Sequence, residues 1–171
     1  MGEQCSRLLE AIRNQMRLRP DSIHGLGHWQ QVASNGLLLA RTTGADPDVI
    51  RLFALFHDSC RENESRDPEH GPRGAELARA WRGVRYDLDD ARLELLIRAC
   101  REHTRAIGST GDVTVDTCID SDRLDLARVG IRPDPARLLT EAARELAQRA
   151  IRVGVSLADY RDFLNEEAAN D

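Results

Sequence analysis

Val49-Ile50-Arg51-Leu52-Phe53-Ala54-Leu55-Phe56-His57-Asp58 runs from an apolar helix straight into two ionisable side chains. Val49, Leu52, Phe53 and Phe56 recur at helical spacing and form one core-facing stripe. Asp46 and Pro47 open this helix as N-cap and first helical residue. His57, Asp58 and then Arg61 lie on the edge adjoining the stripe. Successive helical residues are about 100° apart, so His57 and Asp58 can flank one groove but rarely touch. Beside a core face both must give up water, which costs free energy unless something pairs with them. A metal ion would satisfy both; a helix end with a solvated His and Asp is the plain alternative.

The same periodicity extends outward in both directions. Cys5, Leu8, Leu9, Ile12 and Met16 predict a helix over 3–18, broken by Arg19-Pro20-Asp21-Ser22. His24-Gly25-Leu26-Gly27-His28 reads as a loop entering a second helix over 28–43, which Gly44 ends. After the helix at Pro47 comes a polar loop, 62–72, then a helix over 73–82. Asp87 to Asp90 caps a fifth helix with Leu93, Leu96, Ile97 and Cys100 inward, and His103 next on that stripe. Val115, Cys118, Ile119 and Asp122 mark a sixth, after a loop at 108–112. Helices over 135–152 and 156–168 come after Pro133 and Pro135. Val113-Thr114-Val115 is too short an alternation for a strand. The expected fold is all-α, an irregular helical bundle in a single domain spanning 1–171.

Composition narrows the chemistry. All 24 basic residues are Arg, so lysine nucleophiles, Schiff bases and P-loops are excluded. Any fixed positive charge beside a substrate is a guanidinium, suited to phosphate or carboxylate. A net charge of −5 argues against general nucleic-acid binding. The amphipathic N-terminal segment reads as neither secretory signal nor membrane helix. Cys5, Cys60, Cys100 and Cys118 form no CxxC pair, and a cytoplasmic setting is expected. Trp81 and the C-terminal helices could supply a homo-oligomer interface.

The chain has five histidines, His24, His28, His57, His70 and His103. His103 and Asp122 each fall where the apolar stripe of its own helix points inward. Taken singly, His103 could be a core histidine bonded to main chain and Asp122 the partner of an Arg. The groups sit on separate helices, however, and bundles build metal sites from inward side chains of facing helices. One shared site explains all of them.

The order His…His-Asp…Asp resembles the HD-domain superfamily of metal-dependent phosphohydrolases. Ile23-His24-Gly25-Leu26-Gly27-His28-Trp29 is similar to the family's first-histidine region and Leu55-Phe56-His57-Asp58 to its HD motif. Ser121-Asp122-Arg123-Leu124-Asp125 is similar to its closing motif, with Ser121 in place of the usual Ala. The match spans about residues 22–127, with helices 135–168 expected to pack on that core. His70 and His103 fit the order of members carrying extra ligands. The resemblance then implies two metals: one on His28, His57, Asp58 and Asp122, the other on His70 and His103, with Asp58 bridging. A solvated loop position is the rival reading of His70, and a substrate contact or proton donor a third.

The resemblance implies one or two divalent ions (Fe, Mn, Mg or Zn, with dinuclear Fe or Mn favoured). Asp58, Arg61 and His70 are the expected catalytic residues. His24, Arg61, Arg73 and Arg123 are expected to contact substrate, with Arg61 best placed to follow developing phosphoryl charge. The expected activity is hydrolysis of a small phosphate ester or anhydride, a nucleotide or related metabolite, by metal-activated water. Two alternatives stay open: an HD-type diiron oxygenase cleaving a C–C or C–P bond, and a non-catalytic nucleotide-binding regulator.

Overall fold

The structure, a computed structural model, describes residues 2–169, and side chains from Ser6 onward. Among the described residues there are eight α-helices and no strand. They are α1 (Gly2–Arg13), α2 (Leu26–Thr43), α3 (Pro47–Phe56), α4 (His70–Trp81), α5 (Asp90–Glu102), α6 (Val113–Arg123), α7 (Glu141–Arg152) and α8 (Tyr160–Ala169). Short 3₁₀ turns at Leu124–Val129 and Pro135–Arg137 link α6 to α7. No helix among them is long and apolar enough to cross a membrane.

Side-chain caps set the starts of four of the eight described helices. Asp46 accepts from the backbone N–H of Asp48 and Val49, ahead of Pro47 at the first helical position. Asp89, Asp112 and Thr140 cap α5, α6 and α7 in the same way. α3 then lies at the centre, with Val49, Ile50, Phe53 and Phe56 fully buried. α2, α4, α5 and α6 pack around it, and Leu8 and Ile12 of α1 close one end. A second apolar cluster fixes α7 and α8 to α2 through Leu39, Leu124, Ala143, Ala147, Tyr160 and Leu164. Trp81 packs its ring edge-on to Phe56 and carries the Arg85 guanidinium over its face.

Several helix limits differ from the sequence expectation. α1 ends at Arg13, because Gln15 bonds Ile12 O in a tighter turn; the side chain of Cys5 lies outside the described residues. α2 begins earlier, at Leu26, with Leu26 N bonded to Pro20 O, so Gly27 is helical. α4 starts at His70, since Pro72 falls in the first turn, where no intrahelical N–H is needed. The stretch before α7 is not α-helical: after the 3₁₀ turn at Pro135–Arg137 it runs extended. Asp120, buried, accepts from Leu139 N, Thr140 N and Thr140 Oγ1, which holds that segment extended until Thr140 caps α7. α8 begins at Tyr160 after a Ser156–Asp159 turn.

Two glycines on one face of α4 allow the approach on which the site depends. A Cβ on Gly74 would stand 2.3 Å from Phe56 O, and one on Gly71 would stand 2.2 Å from Cys100 O. Both obstacles are backbone, so α4 would have to move away from the ends of α3 and α5. Gly74→Ala is therefore expected to destabilise the fold by about 1–3 kcal/mol through overpacking. Helix propensity alone has the opposite sign, favouring Ala by about 1 kcal/mol. Thermal melts of the variant decide between them: a raised melting temperature would contradict the close approach.

Candidate metal centre

Four histidines meet from four helix ends. His28 lies in the first turn of α2 and His70 opens α4; His57 and His103 come directly after the last residues of α3 and α5. Each turns its Nδ1 towards an acceptor. His28 Nδ1 is 2.7 Å from Asp125 Oδ2, and His57 Nδ1 is 3.1 Å from Phe53 O. His70 Nδ1 is 2.5 Å from Asp67 O, and His103 Nδ1 is 2.8 Å from Cys100 O. A carbonyl oxygen only accepts, so the ring proton belongs on Nδ1 and each neutral ring presents an Nε2 lone pair.

Those lone pairs converge. His28 Nε2 and His57 Nε2 are 3.1 Å apart, and His70 Nε2 and His103 Nε2 are 2.9 Å apart. With both protons on Nδ1, neither pair has a hydrogen to share, and lone pairs at such distances repel. The arrangement calls for cations, and buried imidazoles oriented through Nδ1 are what divalent metals require. The four rings are buried, at 3% exposure or less.

Asp58 stands between the two pairs. Its Oδ1 is 3.1 Å from His70 Nε2 and 3.9 Å from His103 Nε2. Its Oδ2 is 3.7 Å from His28 Nε2 and 3.8 Å from His57 Nε2. Two groups that could each hold a metal ion result: His28, His57 and Asp58, and Asp58, His70 and His103. Asp122 Oδ1 lies 3.2 Å from His28 Nε2 on the more open side, its side chain 19% exposed. The structure thus brings His28, His57, Asp58, His70, His103 and Asp122 together.

Burial keeps His57 and His103 neutral, and Asp58 and Asp122 stay ionised. Complete burial holds His57 down to about 3 and also lowers His103. Burial would raise Asp58, but the fixed charge of the Arg61 guanidinium at 2.9 Å opposes it, and the carboxyl is held well below its usual range. Burial would raise Asp122 as well, but its bond to His28 outweighs it and lowers the carboxyl. For His28, burial is outweighed by Asp122 and Asp125, which raise it.

The other expected residues take distinct positions. Arg61 Nε donates to Asp58 Oδ1 at 2.9 Å, and Nη1 donates to Ser65 O at 3.3 Å. His24, nearly buried, pairs through Nδ1 with Glu64 Oε2 at 2.5 Å, its ring edge-on to that of His28. Arg73 grips Cys60 O and Asp67, bracing the turn after Asp58. With Arg17, Cys60 and Glu62, Arg61 and Arg73 also line a cavity of about 170 Å³. Arg123 donates to Arg137 O and Ala106 O, so its contacts are with main chain of neighbouring segments. Cys100 and Cys118 are wholly buried with thiols pushed up by burial. Sequence reasoning assigned no role to Asp125, Arg161, Asp67 or Glu64. Asp125 had a signal in its place one turn after Asp122; Arg161, far along the chain, had none.

An all-helical bundle whose helix ends converge on buried imidazoles and a shared aspartate defines a class of metal-centre protein. The chain belongs to the HD domain family, whose sequence profile matches residues 25–163. It is similar to the crystal structure of a predicted HD superfamily hydrolase from an uncultured Thermotogales bacterium. That likeness has 25% identity and a TM-score of 0.70, over 94% of this chain and 91% of the other. Among curated proteins, none matches the chain.

The metal-free protein is expected to lose stability as the pH falls from 6.5 towards 4. His57 and His103, held below their ordinary value of 6.5, take up protons on unfolding, so the unfolded state binds more of them in this window. Asp58 and Asp122, held below 3.8, add a loss of the same sign at lower pH. The contribution of His28 is complete below 6.5 and does not offset these. Melting temperatures of chelator-treated protein across the window check this; a flat or rising profile would contradict it.

Proposed function

We propose that the chain is a metal-dependent phosphohydrolase acting on a small phosphate ester or anhydride, a nucleotide or related metabolite. The position of Asp58, one carboxylate oxygen towards each imidazole pair, carries the reading. His28, His57, Asp58 and Asp122 would hold one divalent ion, and Asp58, His70 and His103 a second. Mixed imidazole and carboxylate donors favour Fe or Mn. Metals bound there supply acidified water and polarised phosphoryl oxygens. The hydrolase named in the similar crystal structure supports the reaction class.

The chain's own residues supply the rest. Arg61 has five N–H donors, and its bonds to Asp58 and Ser65 leave others for a phosphoryl oxygen. Held by Asp58, it stands ready without reorganisation where charge develops. His24 is oriented by Glu64 through Nδ1, which leaves Nε2 for a substrate oxygen. Arg73, held on Cys60 O and Asp67, braces the turn that carries Arg61. The net charge of −5 favours a small ligand over a nucleic acid, and the free thiols Cys60, Cys100 and Cys118 suit the cytosol.

Phosphate release from a panel of nucleotides and sugar phosphates, with Mn²⁺- or Fe²⁺-loaded protein, tests the proposal. Arg61→Ala should lower kcat by about 10²–10³-fold, and Asp58→Ala should abolish release. Oxygen consumption without phosphate release, or full activity in Asp58→Ala, would contradict it.

A further inference from the structure

The C-terminal helix sends one charged side chain towards the centre. Arg161 Nε donates to Asp125 Oδ1 at 2.6 Å and Nη2 donates to Asp125 Oδ2 at 2.7 Å. Asp125 is fully buried, and its Oδ2 also accepts the Nδ1–H of His28. Arg128 adds a bond from Nη1 to Asp125 O at 3.1 Å and lies 3.8 Å from Oδ2. The order is therefore α8, Arg161, Asp125, His28. A two-pronged guanidinium fixes the plane of the carboxylate it grips. That plane decides where the His28 ring points and which of its nitrogens carries the proton.

The other metal-holding group has no such dependence. His70 and His103 are oriented by main-chain carbonyls of Asp67 and Cys100, far from α8 in sequence. α8 itself has a modest apolar anchor, Tyr160 and Leu164. Its remaining contacts include Gln31 with Asn165, Arg149 with Glu167 and Arg41 with Ala168 O. The Arg161–Asp125 pair reaches a carboxylate with no exposure to solvent, so losing it would leave that charge buried beside His28.

We propose that Arg161 is a positioning residue for His28, and that docking of α8 is thereby linked to metal occupancy of the His28–His57–Asp58 group. The proposal rests on the metal reading above. Linkage is reciprocal: if docked α8 strengthens metal binding, bound metal strengthens docking by the same factor.

Calorimetric Mn²⁺ titration of the full-length wild type and Arg161→Gln, beside hydrogen exchange of residues 160–169 with and without Mn²⁺, tests it. One binding event should weaken by about 10–100-fold in the variant while the other stays unchanged. Mn²⁺ should slow exchange in α8 of the wild type and lose that effect in Arg161→Gln. If Arg161→Gln fails to fold, Arg161→Lys keeps the charge, loses the two-pronged grip and carries the same test. Unchanged affinities in a folded variant, or α8 exchange indifferent to Mn²⁺ in the wild type, overturn the proposal alone. A wild type that binds no Mn²⁺ overturns the metal reading with it.

Discussion

Four imidazole nitrogens with their lone pairs facing inward, around one buried carboxylate, cannot be left to themselves. The His28–His57 and His70–His103 nitrogens approach to 3.1 and 2.9 Å, and each ring's proton is already committed to an acceptor on its far side. Burial keeps His57 and His103 neutral, so one ring of each pair cannot be charged instead. Cations between them resolve the repulsion, and the surrounding fold is organised to keep the repulsive arrangement in place. Helices end where the ligands are needed. Glycines 71 and 74 let α4 lie against the carbonyls of Cys100 and Phe56. Capping by Asp112 and anchoring by Asp120 set α6, which carries Asp122.

The lack of lysine shapes how charge is handled throughout. Arg61 is held on Asp58, Arg73 on Asp67 and Cys60 O, and Arg161 on Asp125. Planar, multi-donor groups can serve a carboxylate and a carbonyl together. This gives the centre an inner ring of metal-directed donors and an outer ring of guanidinium groups that fix or neutralise the carboxylates. Arg61 links the two rings, because it donates to Asp58 and also lines a cavity with Arg73.

Much of this was legible in the sequence, for physical reasons. The apolar stripe Val49-Leu52-Phe53-Phe56 could only be core, so the next two residues, His57 and Asp58, had to sit at the edge of that core. Helical phase put Asp122 on the inward stripe of α6; Asp120, buried more completely still, holds Leu139 and Thr140. His70 was harder. Pro72 reads as a breaker, yet in the first turn of a helix it breaks nothing, so His70 opens α4 instead of lying in a loop. The extended run before α7 was hidden because its cause, the Asp120 carboxylate, is remote in sequence. Arg161 was invisible for the same reason: its partner is a residue brought near only by tertiary packing.

The claim at the centre is that Asp58 joins two metal-holding groups of which His70 and His103 form one. Elemental analysis of anaerobically purified protein, wild type beside His70→Ala, addresses it most directly. The account predicts two metal ions per wild-type chain, falling to one in the variant. The same metal content in both proteins, or none retained after Mn²⁺ and Fe²⁺ are added back, would contradict it.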